Sequence, residues 1–163
     1  MLGNSFPVIG ISESWLKSLD DPLVGIPGYA IEGTCRQNKC GGGVALYIQE
    51  DYKYKIRNDI CINAVEIESC IIEIDNSYMG NIIVGIIYRP PHTSTAGFVE
   101  IFNDFLSRLG NEKKRCYLMG DFNVDLLHFD RDNQVQQFVN TLSAHSFFLV
   151  IDKPTRITGD TDR

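Results

Sequence analysis

Polar residues suited to phosphate chemistry stand where apolar runs of strand length end. Glu13 follows PVIGIS, Tyr88 and Arg89 close IIVGIIYR, and Asp121 and Asn123 follow CYLMG. A further polar group, PTRIT (Pro154 to Thr158), lies in the tail. The ends of buried strands are where layered α/β proteins place their sites. Asp121 offers a carboxylate able to activate a water. Asn123 offers an amide donor for charge developing on a phosphate oxygen. In an extended segment residues two apart point the same way, so Asp121 and Asn123 would share one pocket while Phe122 packs away. Taken alone, Gly120-Asp121-Phe122-Asn123 reads first as a turn, because Gly, Asp and Asn all favour turns. Glu13 suits a hard cation such as Mg²⁺, which takes carboxylate oxygens. It also reads as a first-turn acid of a helix capped by Ser12. Tyr88 can offer its phenol to a phosphate or be a half-buried strand aromatic. Arg89 can meet phosphate or lie on the surface, and Pro90-Pro91 would fix the chain as it leaves the strand. His92, His128 and His145 show no partner spacing and are assigned no catalytic part.

The elements that must carry these residues are legible as alternating apolar runs and turns. PVIGI (Pro7 to Ile11), VALYI (Val44 to Ile48, after three glycines), IIVGIIY (Ile82 to Tyr88) and CYLM (Cys116 to Met119) have the continuous apolar character of buried strands. AVEIESCIIEID (Ala64 to Asp75) alternates apolar and charged residues, with a change of phase near Ser69 to Ile71 that predicts a bulge. Asn76 to Asn81 is a turn. Phe98, Ile101, Phe102, Phe105, Leu106 and Leu109 follow helical spacing, ended by Gly110-Asn111. Val135, Phe138, Val139 and Leu142 predict a second helix over Asp132 to Leu142, with His145 near its end. Phe147 to Ile151 reads as a strand or extended run. A long antiparallel portion from Tyr29 to Tyr88, beside helix-covered strands, predicts an α/β or α+β layered fold.

Bulk properties bound the function. The chain has 163 residues, 44% hydrophobic and 22% charged, which suits one soluble domain with a real core. Fifteen basic against twenty-one acidic residues give a net charge of −6, which weighs against a nucleic-acid enzyme, although carboxylates that hold a cation add negative charge of their own. Two basic runs, Lys53-Lys55-Arg57 and Lys113-Lys114-Arg115, read first as solvated surface. Five cysteines are an odd number in a chain of this size, and Cys35-x₄-Cys40 lacks a second ligand pair, so reduced thiols fit better than a disulfide framework or a zinc site. No run approaches a membrane span and the first residues lack a basic leader, so the expected setting is nuclear or cytoplasmic, not secreted, with no membrane partner.

Taken together, ISESWL (Ile11 to Leu16), GGGVALYI, YRPP, GDFNVDLL and PTRIT, in this order, resemble the endonuclease domain of non-LTR, LINE-type retrotransposons. That domain belongs to the DNase-like exonuclease–endonuclease–phosphatase superfamily. GDFN is shared across the superfamily, whereas its combination with YRPP and PTRIT is specific to retroelements. The resemblance implies a four-layered α/β sandwich, two packed mixed sheets flanked by helices. It implies a monomer that cuts a DNA phosphodiester with Mg²⁺, or Mn²⁺ in its place, and an activated water. By motif, Glu13 would be the metal ligand, and Asp121 would position or deprotonate the water. Asn123 and Tyr88 would bind the scissile phosphate, and Thr155 or Thr158 would match a phosphate-contacting threonine.

The resemblance also sets up an expectation of impairment. The family places a strand bearing a catalytic Asn before PVIGI, and Ile-Asp and Ser-Asp-His segments after PTRIT. A single domain spanning 1–163 without these would hold half of the site and nick weakly or not at all. Two alternatives stand beside a target-site DNA endonuclease. One is a catalytically dead retroelement remnant used only for binding. The other is a different phosphoesterase of the same superfamily, such as a phosphoinositide phosphatase or sphingomyelinase, which YRPP and PTRIT disfavour.

Overall fold

The computed structural model describes residues 6–36, 41–151 and 153. The chain divides into two units, 1–123 and 124–163.

Among the described residues the first unit is built from two sheets and one helix. β1 (Val8–Ser12), β2 (Tyr29–Thr34) and β3 (Val44–Gln49) form a sheet in the order β1-β3-β2, antiparallel throughout. β4 (Tyr54–Ile56), β5 (Glu68–Ile74), β6 (Ile82–Tyr88) and β7 (Arg115–Asp121) form the second sheet in that order. Its first three strands are antiparallel, and β6 and β7 are parallel. Only this sheet is mixed, against an expectation of two mixed sheets. The reason is connectivity. Parallel neighbours need a long crossover, and α1 (Thr95–Asn111) supplies it between β6 and β7.

The two sheets face each other across a core of Val44, Leu46 and Ile48 from β3, Cys70, Ile72 and Ile74 from β5, and Val84, Ile86 and Tyr88 from β6. Because strand side chains alternate, Ile71, Ile83 and Ile87 point to the opposite face, and they too are fully buried. α1 covers that face. Its apolar stripe of Phe98, Phe102, Phe105, Leu106 and Leu109 is buried. Its C-cap residue Glu112 reaches Arg57, which is bonded to Glu73 on the same face of β5. Ser94 caps the helix start, its hydroxyl accepting from the Gly97 N–H at 3.1 Å.

Burial on both faces explains the change of phase in AVEIESCIIEID. β5 pairs with β6 without a break from Glu68↔Tyr88 to Ile74↔Ile82, so the predicted bulge is absent. The strand starts at Glu68, after a tight reversal that leaves Val65 75% exposed. CYLM was expected as a short buried strand. It belongs instead to a seven-residue edge strand, with Tyr117 56% exposed.

In the second unit Asp125 caps a single 3-10 turn, Leu126–His128, and Asp132 caps α2 (Asn133–Ala144) by accepting from the Gln134 N–H at 2.7 Å. His145 is the C-cap residue of α2. Phe147 to Ile151 forms no strand, and Phe148 and Val150 stand 84% and 92% exposed. Among the described residues, no helix is long and apolar enough to cross a membrane.

Candidate active site

β1, β5, β6 and β7 bring one set of ends together, and the polar residues that follow them meet there. Beyond Ser12 the chain turns sharply, with Glu13 at φ 54° and Trp15 at φ 57°. Residues bearing a Cβ avoid this region, at a cost of about 1–3 kcal/mol each, unless their surroundings enforce it. Here the Ser14 and Trp15 N–H groups donate to the Gly43 and Gly42 carbonyls at 3.0 and 2.9 Å. Glu13 is thus held in a pinned turn, and the alternative of a helix capped by Ser12 is not formed, since β2 is the next element.

The glycine loop that pins this turn has its own requirement. Gly42 sits at φ 81°, and a Cβ there would lie 2.5 Å from the guanidinium carbon and Nε of Arg36. Arg36 follows β2, and its Nε–H donates to one oxygen of Glu68. The other Glu68 oxygen accepts the Gly43 N–H at 2.6 Å. Glu68 lies directly opposite Tyr88 in the β5–β6 register. A buried carboxylate therefore ties the glycine loop, and through it the Glu13 turn, to the strand that carries Tyr88.

Tyr88 is 2% exposed, and its phenol lies beside the Glu13 carboxylate. Burial raises the phenol pKa, and the negative charges of Glu13 and Asp121 raise it further, with the Arg36 guanidinium acting in opposition. A phenol so placed stays protonated and remains a donor. Parallel pairing sets Asp121 beside Tyr88, and the Arg89 N–H continues the ladder to the Asp121 carbonyl at 2.9 Å.

After Asp121 the extended geometry assumed from the sequence gives way to a turn. Asn123 adopts φ 47°, and its N–H donates to the Asp121 carboxylate at 2.9 Å. The Asn123 amide reaches the Arg89 carbonyl at 2.7 Å. Phe122 packs away as expected, its ring 6.3 and 5.6 Å from those of Phe98 and Phe102. The turn reading and the functional reading of GDFN thus describe the same object. A side chain at Gly120 would drive its Cβ to 1.8 Å from the Ile87 carbonyl oxygen, so the strand can reach this turn only through glycine.

Arg89 takes another place than that expected of a phosphate contact. It is 6% exposed, and its guanidinium donates to Thr95 Oγ1 at 2.8 Å and lies 5.8 Å from the Phe98 ring centre. Desolvation lowers its pKa. In this position it braces the start of α1 against the end of β6. Thr155 and Thr158 lie outside the described residues. The sequence reading passed over Arg36 and Glu68. Counting outward from the Asn76–Asn81 turn would have set Glu68 across from Arg89, one residue beyond its partner Tyr88, whereas nothing in the sequence marked Arg36.

Among the described residues, no group of three or more His, Cys, Asp or Glu side chains is arranged to hold a metal ion. A Mg²⁺ site needs less, since this ion keeps several waters and is commonly held by one or two carboxylates together with substrate phosphate. The exposed carboxylate of Glu13 fits that role. It offers hard oxygens and lies beside the Tyr88 phenol, which also feels the charge of Asp121. The four described free cysteines, Cys35, Cys61, Cys70 and Cys116, are soft ligands and belong to no such group.

Two facing sheets with a crossover helix, and an acid, a phenol and an Asp–Asn turn at adjoining strand ends, define a phosphoesterase of DNase-like fold. The family model described as Endonuclease/Exonuclease/phosphatase family matches residues 4–159, and the chain belongs to that family. Among solved structures the chain is similar to the endonuclease domain of TRAS1, a telomere-specific non-LTR retrotransposon, with a TM-score of 0.56 and 17% identity. The match covers 74% of this chain and 53% of that one, so this chain spans about half the length of its structural relative. At this identity the likeness establishes the fold. A search of curated proteins finds no match.

Proposed function

We propose that this chain acts as the endonuclease domain of a non-LTR retrotransposon, nicking target-site DNA with Mg²⁺. The observation that carries this reading is the meeting of Glu13, Tyr88 and Asp121 at the ends of β1, β6 and β7. Glu13 would hold the cation. When bound, Mg²⁺ supplies positive charge that polarises the phosphoryl oxygens. The Tyr88 phenol, kept protonated, donates its one O–H to the phosphate. Asp121, exposed at its strand end, orients a water and takes its proton. Asn123 presents its amide to charge developing on a phosphate oxygen. DNA is the partner, the protein works as a monomer away from membranes, and its reduced thiols fit a nuclear or cytosolic setting.

Turnover by these residues alone should be slow. Mg²⁺ affinity falls with few protein oxygens, and Glu13 is the only acid assigned to it among the described residues. A second reading is a domain that binds DNA without cutting it. Nicking of supercoiled plasmid separates the two. Metal-dependent nicking, abolished by EDTA and by Asp121→Ala, is the expected result. Nicking that survives Asp121→Ala would refute the assignment of the site, and binding by a folded protein that never nicks would establish the second reading.

A further inference from the structure

Cleavage of DNA brings a polyanion to a surface that already carries Glu13 and Asp121. Phosphate affinity in nucleic-acid proteins comes largely from Lys and Arg. Arg89 is buried and turned onto Thr95 and Phe98. Arg36 is placed differently. Its side chain is 28% exposed while that of Glu68 beneath it is 11% exposed. Its guanidinium lies over Gly42, where a Cβ would clash, and its Nε edge is engaged by Glu68. A guanidinium carries five N–H donors in a fixed fork, so engagement at Nε orients the remaining donors. Glu68 is also fully committed, with one oxygen on Arg36 and the other on the Gly43 N–H. The same loop pins the Glu13 turn, and Glu68 stands opposite Tyr88. The cation is thereby fixed to the same frame as the acid and the phenol.

We propose that Arg36 binds a phosphate of the DNA substrate at this site, and that Glu68 is the positioning residue that holds its guanidinium there. This rests on the DNA-nicking reading above and adds a substrate contact to it. A preorganised guanidinium can meet phosphate oxygens with parallel N–H groups, which a flexible surface lysine cannot do. It also supplies a positive charge on a face where the acids would otherwise repel the backbone of the duplex.

The test is equilibrium binding of a labelled duplex oligonucleotide in EDTA, followed by fluorescence anisotropy across a salt series. Plasmid nicking is measured in parallel with Mg²⁺. Arg36→Ala should weaken binding and make the slope of log affinity against log salt shallower by about 1, the signature of one lost phosphate contact. Arg36→Lys keeps the charge and should retain the slope. Glu68→Gln leaves Arg36 charged but poorly held, and should weaken binding with the slope unchanged. If Arg36→Ala fails to fold, Arg36→Gln gives the same comparison with the reach across Gly42 preserved. Wild-type affinity and slope in the folded Ala or Gln variant would overturn the proposal, as would loss of the slope in a folded Arg36→Lys protein. A wild-type protein that neither nicks nor binds duplex DNA would remove the nuclease reading and this contact together. Wild-type nicking with unaltered binding in the Arg36 variant would remove the contact alone.

Discussion

The Tyr88 hydroxyl is buried beside the Glu13 carboxylate and a second carboxylate at the end of the neighbouring strand, and burial first, then both charges, favour its neutral form. Its folded pKa lies above the ordinary 10.0. The stabilisation it contributes is therefore present below the unfolded pKa and is lost as pH rises through the folded one. Tyr88→Phe keeps the ring in the intersheet core and removes only the donor. Nicking should fall about 10²-fold, the usual cost of one transition-state donor, with little change in unfolding midpoint at neutral pH. Tyrosinate absorbance supplies an independent check. The titration step missing from the variant should lie above the ordinary phenol range, and a missing step at the ordinary position would show that the phenol is not buried among these charges in solution. This site was half legible from residue type alone. Glu13, Tyr88, Asp121 and Asn123 could be picked out because polar residues at the ends of apolar strands are conspicuous. Arg36 looked like any exposed arginine, because its meaning depends on a glycine and a glutamate that reach it only through strand pairing.

Among the elements, the parallel pairing of β6 and β7 decides whether Asp121 stands beside Tyr88. That pairing passes through Gly120, which has φ 134° and no room for a Cβ beside the Ile87 carbonyl. Gly120→Ala should lower stability by about 1–3 kcal/mol from backbone strain alone. It should also abolish nicking by lifting the Asp121 turn away from the sheet. Urea unfolding and the nicking assay measure the two effects, and unchanged values in both would contradict the register. The helices were readable to within a few residues, because a 3.6-residue apolar period and a capping residue are local signals. The strands were less so. β5 is buried on both faces, so its sequence cannot show a clean period of two, and its apparent phase change arose from residues that precede the strand. The edge strand β7 was read as buried because apolar content does not distinguish a central strand from one whose outer side meets solvent.

Across the first unit as a whole, the site end of the second sheet has a counterpart at the opposite end, where an ion network replaces the expected basic surface. Arg57 is 8% exposed and bonds to Glu73 at 2.6 Å, to Glu112 at 2.6 Å and to Asp59 at 2.7 Å. Lys114 reaches Glu73 at 3.0 Å and Glu112 at 2.8 Å, and Lys55 reaches Glu73 at 3.3 Å. Both basic runs thus contribute to structure, through partners as far away in sequence as the 55 residues between Arg57 and Glu112, a distance no local reading spans. The network joins β5, the end of α1 and the approach to β7. Burial alone would raise the Glu73 pKa, but hydrogen bonds from Asn81, Lys114, Arg57 and Lys55 outweigh it and hold the carboxyl at about 2. The bond from Arg57, followed by that from Lys114, likewise holds Glu112 at about 2. Both folded values lie below the ordinary 4.5, so the stability these acids contribute is fully present above that pH and is lost as pH falls toward 2. Replacing Arg57 by Met should cost about 1.5–3 kcal/mol at neutral pH, because Glu73 loses its buried partner and keeps only Lys114, Lys55 and Asn81. It should also flatten the acid limb, since the two glutamates would no longer be held so far below their ordinary pKa. Replacing Arg57 by Met and Glu73 by Leu together should recover much of the loss, because an apolar pair asks for no desolvation. Urea unfolding of the three proteins between pH 2 and pH 7 checks each step. A wild-type stability that stays level between pH 4.5 and pH 2 would show that the network does not hold these acids ionised.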